Sequence, residues 1–255
     1  MIRTWRPARS PARTGSPART GSAARRPSAP VTHTLIALCV ALFLAGPAAG
    51  LNPAFGSGEE LLAAQRAHFH RWGVVPAELF AGSPRAALTP FTALFVHGSW
   101  VHLLGNMLFL YVFGAMTEER MGRTRFTLFC LGCGYLALLG YAAANDDSGR
   151  PLVGASGAIS AVLGAFLFLF PTARVTSLLP FLLFLPLRFP AWVVLPFWVA
   201  VQWVAARQAG PGPGVAYLAH LVGFGLGFGY AWACFGRRTR VKPTRAPAPE
   251  GENQP

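Results

Sequence analysis

Residues 97–114 read HGSWVHLLGNMLFLYVFG, an apolar run of membrane-helix length whose polar residues cluster near its start. Two further apolar runs have the same form, GASGAISAVLGA at 154–165 and AHLVGFGLGF at 219–228. Polar side chains are costly inside a bilayer and most often serve a function there. The three stretches therefore predict membrane helices that carry the residues of one candidate site.

The composition of the whole chain favours lipid as its solvent. Hydrophobic residues make up 53% of the 255 residues and charged residues only 12%, whereas a soluble domain carries about 25% charged residues. We therefore predict an all-α membrane protein, with a membrane domain at 31–236 between disordered basic cytoplasmic tails at 1–30 and 237–255. Residues 175–189, which are apolar but rich in proline, are expected to form a loop on the membrane face. The six predicted spans are about 32–50, 98–116, 126–144, 152–170, 190–206 and 215–235.

The net charge of +13 lies mainly on the two tails. Residues 1–30 hold seven Arg and no acid, and residues 237–245 hold four Arg and one Lys. Tails of this kind suit an anionic membrane surface, whereas nucleic-acid binding needs a basic patch on a folded face. We therefore expect the lipid bilayer, and not nucleic acid, as a partner.

The distribution of Lys and Arg orients the predicted spans. With both termini in the cytoplasm, the inner segments hold 17 of these residues and the outer segments hold 5. This predicts a multi-pass protein of the plasma membrane whose site opens to the extracytoplasmic side. Two other interpretations stay open, because LAGPAAG at 44–50 resembles a signal-peptide cleavage region and the Arg-rich N-terminus resembles a mitochondrial transit peptide.

Three polar residues share one depth in the second, fourth and sixth predicted spans. His102, Ser156 and His220 each lie four or five residues past the outer end of their span, roughly 6–8 Å below the boundary. Asn106 shares a helix face with His102, because the two are spaced i, i+4. Small-residue faces, including GxxxG at 223–227, let such helices approach closely. We predict a Ser–His dyad and no triad, because no intramembrane acid is available to orient His220.

An oxyanion hole needs donors aimed at the tetrahedral intermediate of acyl transfer. The candidates are the side chains of His102 and Asn106 and the backbone N–H of Ser156. His97 is expected at the mouth of the site, where it would organise polar groups or water. No metal site is predicted, because the C-x-x-C at 130–133 lies mid-span without a second cysteine pair.

These motifs together resemble the rhomboid family of intramembrane serine proteases, over about residues 88–235. The inner loop EERMGRTRF at 118–126 is similar to the same family. The resemblance implies a bacterial-type bundle of six transmembrane helices, a catalytic pair of Ser156 and His220, no cofactor, and transmembrane protein substrates that are cut near their outer ends. The other residues that it implies for the site are the oxyanion-hole donors His102 and Asn106 and the supporting residues His97, Gly154, Gly157 and Gly223.

The chain departs from the family pattern at two places. Leu88-Thr89 stands where a Trp-Arg pair is common, and Ser160 stands where an aromatic residue often stacks on the catalytic histidine. The alternative to a protease is a non-catalytic rhomboid-like protein that binds membrane clients, although such a protein is expected to lack Ser156 or His220. A transporter fits less well because the inner halves of the spans are almost wholly apolar, and a histidine metalloenzyme because too few ligands are present. Neither the substrates nor the oligomeric state follows from the sequence.

Overall fold

The computed structural model describes residues 28–179, 185–208 and 216–236, and most of these are helical, which confirms the predicted all-α class. The predicted tails lie outside these ranges except for residues 28–30. Short 3₁₀ turns and an antiparallel pair of strands lie between the helices in the described residues. In chain order the helices are α1 (Pro30–Ala45), α2 (Glu59–Trp72), α3 (Pro76–Phe80), α4 (Thr89–Thr92), α5 (Trp100–Met121), α6 (Arg123–Ala143), α7 (Ser156–Leu169), α8 (Ala191–Gln208) and α9 (Tyr217–Phe235).

Within the described residues, three helices are long and apolar enough to cross a bilayer. These are α5, α6 and α9, with 22, 21 and 19 residues. Helices α1 and α7 are also apolar but have only 16 and 14 residues, fewer than the roughly 20 that span the hydrocarbon core. The protein is therefore a multi-pass membrane protein, and the count of six spans stays a prediction.

The described part of the loop expected at 175–189 forms an antiparallel pair of strands, and residues 180–184 lie outside the described residues. Strand β1 (Arg174–Leu179) pairs with strand β2 (Leu185–Pro190), and Val175 lies opposite Phe189. A segment beside the bilayer must satisfy its backbone groups internally, and strand pairing does so. Strand β2 leads directly into α8, whose first two N–H groups donate to carbonyl oxygens of the turn that precedes β1.

Helix α7 occupies the centre of the bundle. Its residues 157–166 are all buried, and most of them are small or aliphatic. A helix that is apolar around its whole circumference needs neighbours on every side. Helices α5, α6, α8 and α9 supply them, and an edge-to-face pair of Phe113 and Phe166 packs α5 against α7.

Helices α7 and α9 lie in backbone contact and run parallel. A Cβ atom at Gly223 would collide with the carbonyl oxygen of Gly157, and one at Gly227 would collide with that of Ala161. Only glycine permits so close an approach, which the small-residue pattern of the sequence predicts.

The register of this parallel pair sets the level of the candidate site residues. Both contacting pairs are offset by 66 positions, so Ser156 on α7 is level with Val222 on α9. His220 precedes Val222 by two residues, which corresponds to about 3 Å along the helix axis. The hydroxyl and the imidazole are therefore carried to the same end of the bundle at nearly the same height.

The other end of α5 holds the start of α1. The carboxylate of Glu118, which is 1% exposed, accepts hydrogen bonds from the N–H groups of Val31 and Thr32 at 3.0 and 2.7 Å. It also accepts from the Thr32 hydroxyl at 2.8 Å. The first N–H groups of a helix have no intrahelical acceptor, so a carboxylate at this position both satisfies them and suits the helix dipole. These bonds hold α1 against α5.

We expect Gly227→Ala to destabilise the bundle by about 1–3 kcal/mol, because the added methyl group must push α7 and α9 apart. Gly225→Ala is the matched control, since a Cβ at Gly225 meets no atom within 4 Å and alanine is the better helix former. Thermal unfolding of the purified proteins in detergent measures both effects. Equal midpoints for the two variants would show that α7 and α9 are not in backbone contact.

Candidate active site

Ser156 is the first residue of α7, four positions after the start expected for that span. The segment before it is not helical, because it is held by two other parts of the chain. Leu152 pairs with Val74, and the Gly154 N–H donates to the carbonyl oxygen of Ala93 at 2.8 Å. Gly154 has a φ of +123°, a conformation that other residues rarely adopt. The contacts of residues 152–154 with Val74 and Ala93 thus hold Ser156 at the N-terminus of α7.

The N-terminus of α7 places free donors around Ser156. The first N–H groups of an α-helix have no intrahelical acceptor, and the helix dipole makes this end electropositive. The backbone N–H of Ser156 is one of these groups. It can therefore donate to an oxygen that becomes negative during a reaction at the Ser156 hydroxyl.

His102 lies in the first turn of α5, and its two ring nitrogens have different roles. The Ser99 side chain caps the helix by accepting from the His102 backbone N–H at 3.2 Å. The Nδ1 atom of His102 accepts from the Gly98 N–H at 3.4 Å, so the hydrogen of the neutral ring is on Nε2. This edge of the ring faces Gly154, where a Cβ atom would lie 2.7 Å from Nε2. His102 therefore presents an N–H donor beside the start of α7.

Asn106 lies one turn further along the same face of α5. It is 9% exposed, and within the described residues its Nδ2 atom has no hydrogen-bond partner. A Cβ atom at Gly154 would lie 3.7 Å from this nitrogen. A buried amide without a partner is costly, so its N–H groups are available to a bound substrate.

Helix α8 and the first turn of α9 enclose the ring of His220, which is 8% exposed. The ring of Trp198 lies over it, with 6.0 Å between centroids and an interplanar angle of 30°. Tyr217 meets it edge-on at 6.2 Å and 89°. The sequence has Ser160 on α7 where an aromatic residue is common, and Trp198 on α8 supplies an aromatic contact to this ring instead. The Ser160 hydroxyl instead donates to the carbonyl oxygen of Ser156 at 2.7 Å.

The sequence reasoning missed one contact at the candidate site, which Gln202 makes. The Oε1 atom of Gln202 lies 2.8 Å from Nδ1 of His220. The signal was present, because a lone amide within an apolar span is expected to have a partner. The prediction of a dyad considered only acids as groups that orient the histidine, whereas an amide oxygen is also an acceptor.

Four of the eight predicted site residues line one cavity of about 570 Å³ that is bounded by α5, α6, α7, α8 and α9. Gly157 and Gly223 lie instead at the contact between α7 and α9, where they bring the two helices together. The wall of the cavity includes all four residues predicted to act on a substrate, Ser156, His220, His102 and Asn106.

His97 does not line this cavity, and its expected role at the mouth of the site stays a prediction. Its ring packs edge-on against the ring of His102, with 5.2 Å between centroids, and borders a separate apolar cavity of about 370 Å³. Burial and, to a smaller extent, the nearby His102 lower the pKa of His97 to about 4, so the ring is neutral at pH 7. A neutral ring packed against His102 can support the position of that side chain.

A sequence model of the Rhomboid domain matches residues 84–237. This stretch covers more than half of the chain and contains every helix that borders the cavity of about 570 Å³. The chain belongs to the rhomboid family. The rhomboid motifs at 97–114, 154–165 and 219–228 are the ones that surround this cavity.

Two curated relatives also carry the rhomboid name. The chain is 35% identical to "Rhomboid protein 1, mitochondrial" of Saccharomyces cerevisiae over 150 residues, which cover 54% of this chain and 39% of that protein. It is 32% identical to "Putative rhomboid protease YdcA" of Bacillus subtilis over 78 residues, which cover 31% of this chain and 39% of that protein. The chain thus spans about two fifths of the length of each relative.

Proposed function

We propose that the chain is an intramembrane serine endopeptidase that hydrolyses peptide bonds in or near the transmembrane segments of other membrane proteins. One observation carries the proposal: the Ser156 hydroxyl, the His220 ring and two N–H donors from α5 share the wall of a single cavity. Membership of the rhomboid family supports the same activity.

The proposed reaction begins with proton transfer from Ser156 to His220. The bond from Nδ1 of His220 to an amide oxygen leaves Nε2 of the neutral ring without a hydrogen, so Nε2 is the base. Nε2 takes the hydroxyl proton as the oxygen of Ser156 bonds to the carbonyl carbon of the scissile peptide. The carbonyl oxygen becomes an oxyanion, which accepts hydrogen bonds from His102, Asn106 and the Ser156 N–H.

The second half of the proposed reaction uses the same base. The C–N bond breaks, the leaving nitrogen takes the proton from His220, and the acyl group remains as an ester on Ser156. A water molecule then gives a proton to His220 and attacks the ester carbonyl. The acid product leaves, and the proton returns to the Ser156 oxygen.

We propose that six spans within residues 31–236 place both termini in the cytoplasm of a plasma-membrane protein. The bias of 17 inner to 5 outer Lys and Arg residues supports this orientation. The cavity then opens at the extracytoplasmic side, because Ser156 and His220 lie at the N-terminal ends of two parallel helices. Substrates would accordingly be cut near the outer ends of their transmembrane segments.

Ser156→Ala and His220→Ala are each expected to lower cleavage of a co-expressed single-span substrate by at least about 10⁴-fold, because nucleophile and base act as one unit. The exposed Ser83→Ala and His70→Ala serve as matched controls, since neither residue lines the cavity. A fluorophosphonate probe should label the native chain and not Ser156→Ala. Equal cleavage by all variants would refute the assignment, and substrate capture without cleavage by the native chain would indicate the client-binding alternative.

Asn106→Ala should lower kcat by about 10²–10³-fold with little change in KM, because an oxyanion donor acts only in the transition state. Asn145→Ala is the control. Asn145 lies in the loop after α6, does not line the cavity, and donates to the carbonyl oxygen of Tyr141 within that helix. Cleavage kinetics in detergent measure both. A rise in KM at constant kcat would instead make Asn106 a ground-state binding residue.

Reporter fusions test the proposed orientation. Green fluorescent protein fused after Pro255 should fluoresce, because it folds in the cytoplasm, and alkaline phosphatase fused after Asp147 should be active, because it folds outside. As the control, each reporter is fused at the other position, where it should be inactive. Phosphatase activity after Pro255 would contradict the cytoplasmic C-terminus.

A further inference from the structure

Helix α8 buries one amide in an otherwise apolar stretch. Gln202 is the single amide or charged side chain between Ala191 and Ala206, and it is only 9% exposed. A polar group in such a place costs free energy unless it is hydrogen-bonded, and leucine or methionine would fill the same space without that cost. The presence of an amide therefore calls for a partner that needs it.

That partner is the ring of His220. The Oε1 atom of Gln202 lies 2.8 Å from Nδ1, and both side chains are buried. An amide oxygen can only accept a hydrogen bond, so this contact requires hydrogen on Nδ1. A neutral imidazole carries one hydrogen, and Nε2 is consequently left with a free lone pair.

We propose that Gln202 is a positioning residue that holds His220 in the tautomer with hydrogen on Nδ1, so that Nε2 is available to Ser156. This inference rests on the proposed hydrolase function and adds a third member to its dyad. Gln202 also lines the cavity, but it bonds to the ring nitrogen of His220 that does not take the proton. It acts through His220, in the way that a buried carboxylate orients the histidine of a Ser-His-Asp triad.

The geometry of α8 supports this role through a second residue. Trp198 and Gln202 are spaced i, i+4, so they share a helix face. Trp198 covers the face of the His220 ring while Gln202 bonds to its edge. Trp198 restricts the tilt of the His220 ring. Gln202 restricts the rotation of the ring and holds the hydrogen on Nδ1.

The amide of Gln202 also suits a reaction in which His220 is neutral at first and is protonated for part of the cycle. When His220 takes the proton of Ser156, its Nδ1–H remains bonded to an oxygen dipole, and this bond is stronger to an imidazolium than to a neutral ring. Gln202 therefore favours the protonated ring that forms beside the oxyanion. The amide itself stays neutral throughout, so no permanent charge is buried within the apolar span.

Gln202→Met removes the acceptor at nearly constant shape, and Gln202→Glu keeps an acceptor oxygen. We expect Gln202→Met to lower kcat on the order of 10- to 100-fold with KM unchanged, because the buried Nδ1–H loses its partner. Gln202→Glu should retain more activity than Gln202→Met. The control is Gln208→Met, at an exposed glutamine of the same helix. Native kcat in Gln202→Met would overturn the proposal.

Nitrogen-15 NMR of ring-labelled histidine reads the tautomer directly and needs no activity. At mildly alkaline pH the native chain should show the His220 signals of a protonated Nδ1 and an unprotonated Nε2, assigned by their absence in His220→Ala. In Gln202→Met the hydrogen should redistribute toward Nε2, and in Gln208→Met it should not. A native His220 with hydrogen on Nε2 would overturn the inference. If the native chain cleaved nothing, the hydrolase assignment would fall, and this spectrum alone would decide whether Gln202 sets the tautomer.

Discussion

The backbone contact between α7 and α9 is the constraint on which the candidate site depends. The proposed proton transfer needs the Ser156 hydroxyl and the His220 imidazole to come about 3 Å apart, and close packing of α7 and α9 shortens the distance that these side chains must bridge. Glycine at 223 and 227 removes the side chains that would separate the helices. The parallel register then brings Ser156 and His220 to the same level.

Hydrogen bonds to neighbouring groups give the two histidines of the cavity wall, His102 and His220, different tautomers. The backbone N–H of Gly98 donates to Nδ1 of His102, which leaves Nε2–H as a donor. The oxygen of Gln202 accepts from Nδ1 of His220, which leaves Nε2 as an acceptor. One ring can therefore stabilise negative charge while the other takes a proton, although the two side chains are chemically identical. The difference arises from one backbone group and one side-chain amide.

Much of the fold and the site can be predicted from the sequence, because polar residues are costly in lipid and are therefore conspicuous. Polar residues in apolar runs are costly, so His102, Asn106, Ser156 and His220 stand out, and their positions near the starts of three runs predict a common depth. The structure places all four on one cavity wall. Helix α7 begins at Ser156, four residues after the predicted start of its span at 152. Residues 152–155 extend the apolar run, but the contact of Leu152 with Val74 keeps them out of the helix.

The sequence determines which residues are polar within the apolar runs and at which end of each run they lie. Both properties depend only on the position of a residue along the chain. Which side chains meet is decided only by the tertiary structure. Trp198 and Gln202 on α8 both contact His220, and His97 packs against His102. These contacts depend on how α8 and the segment before α5 are placed around the bundle, and that placement results from packing between segments that are distant in sequence.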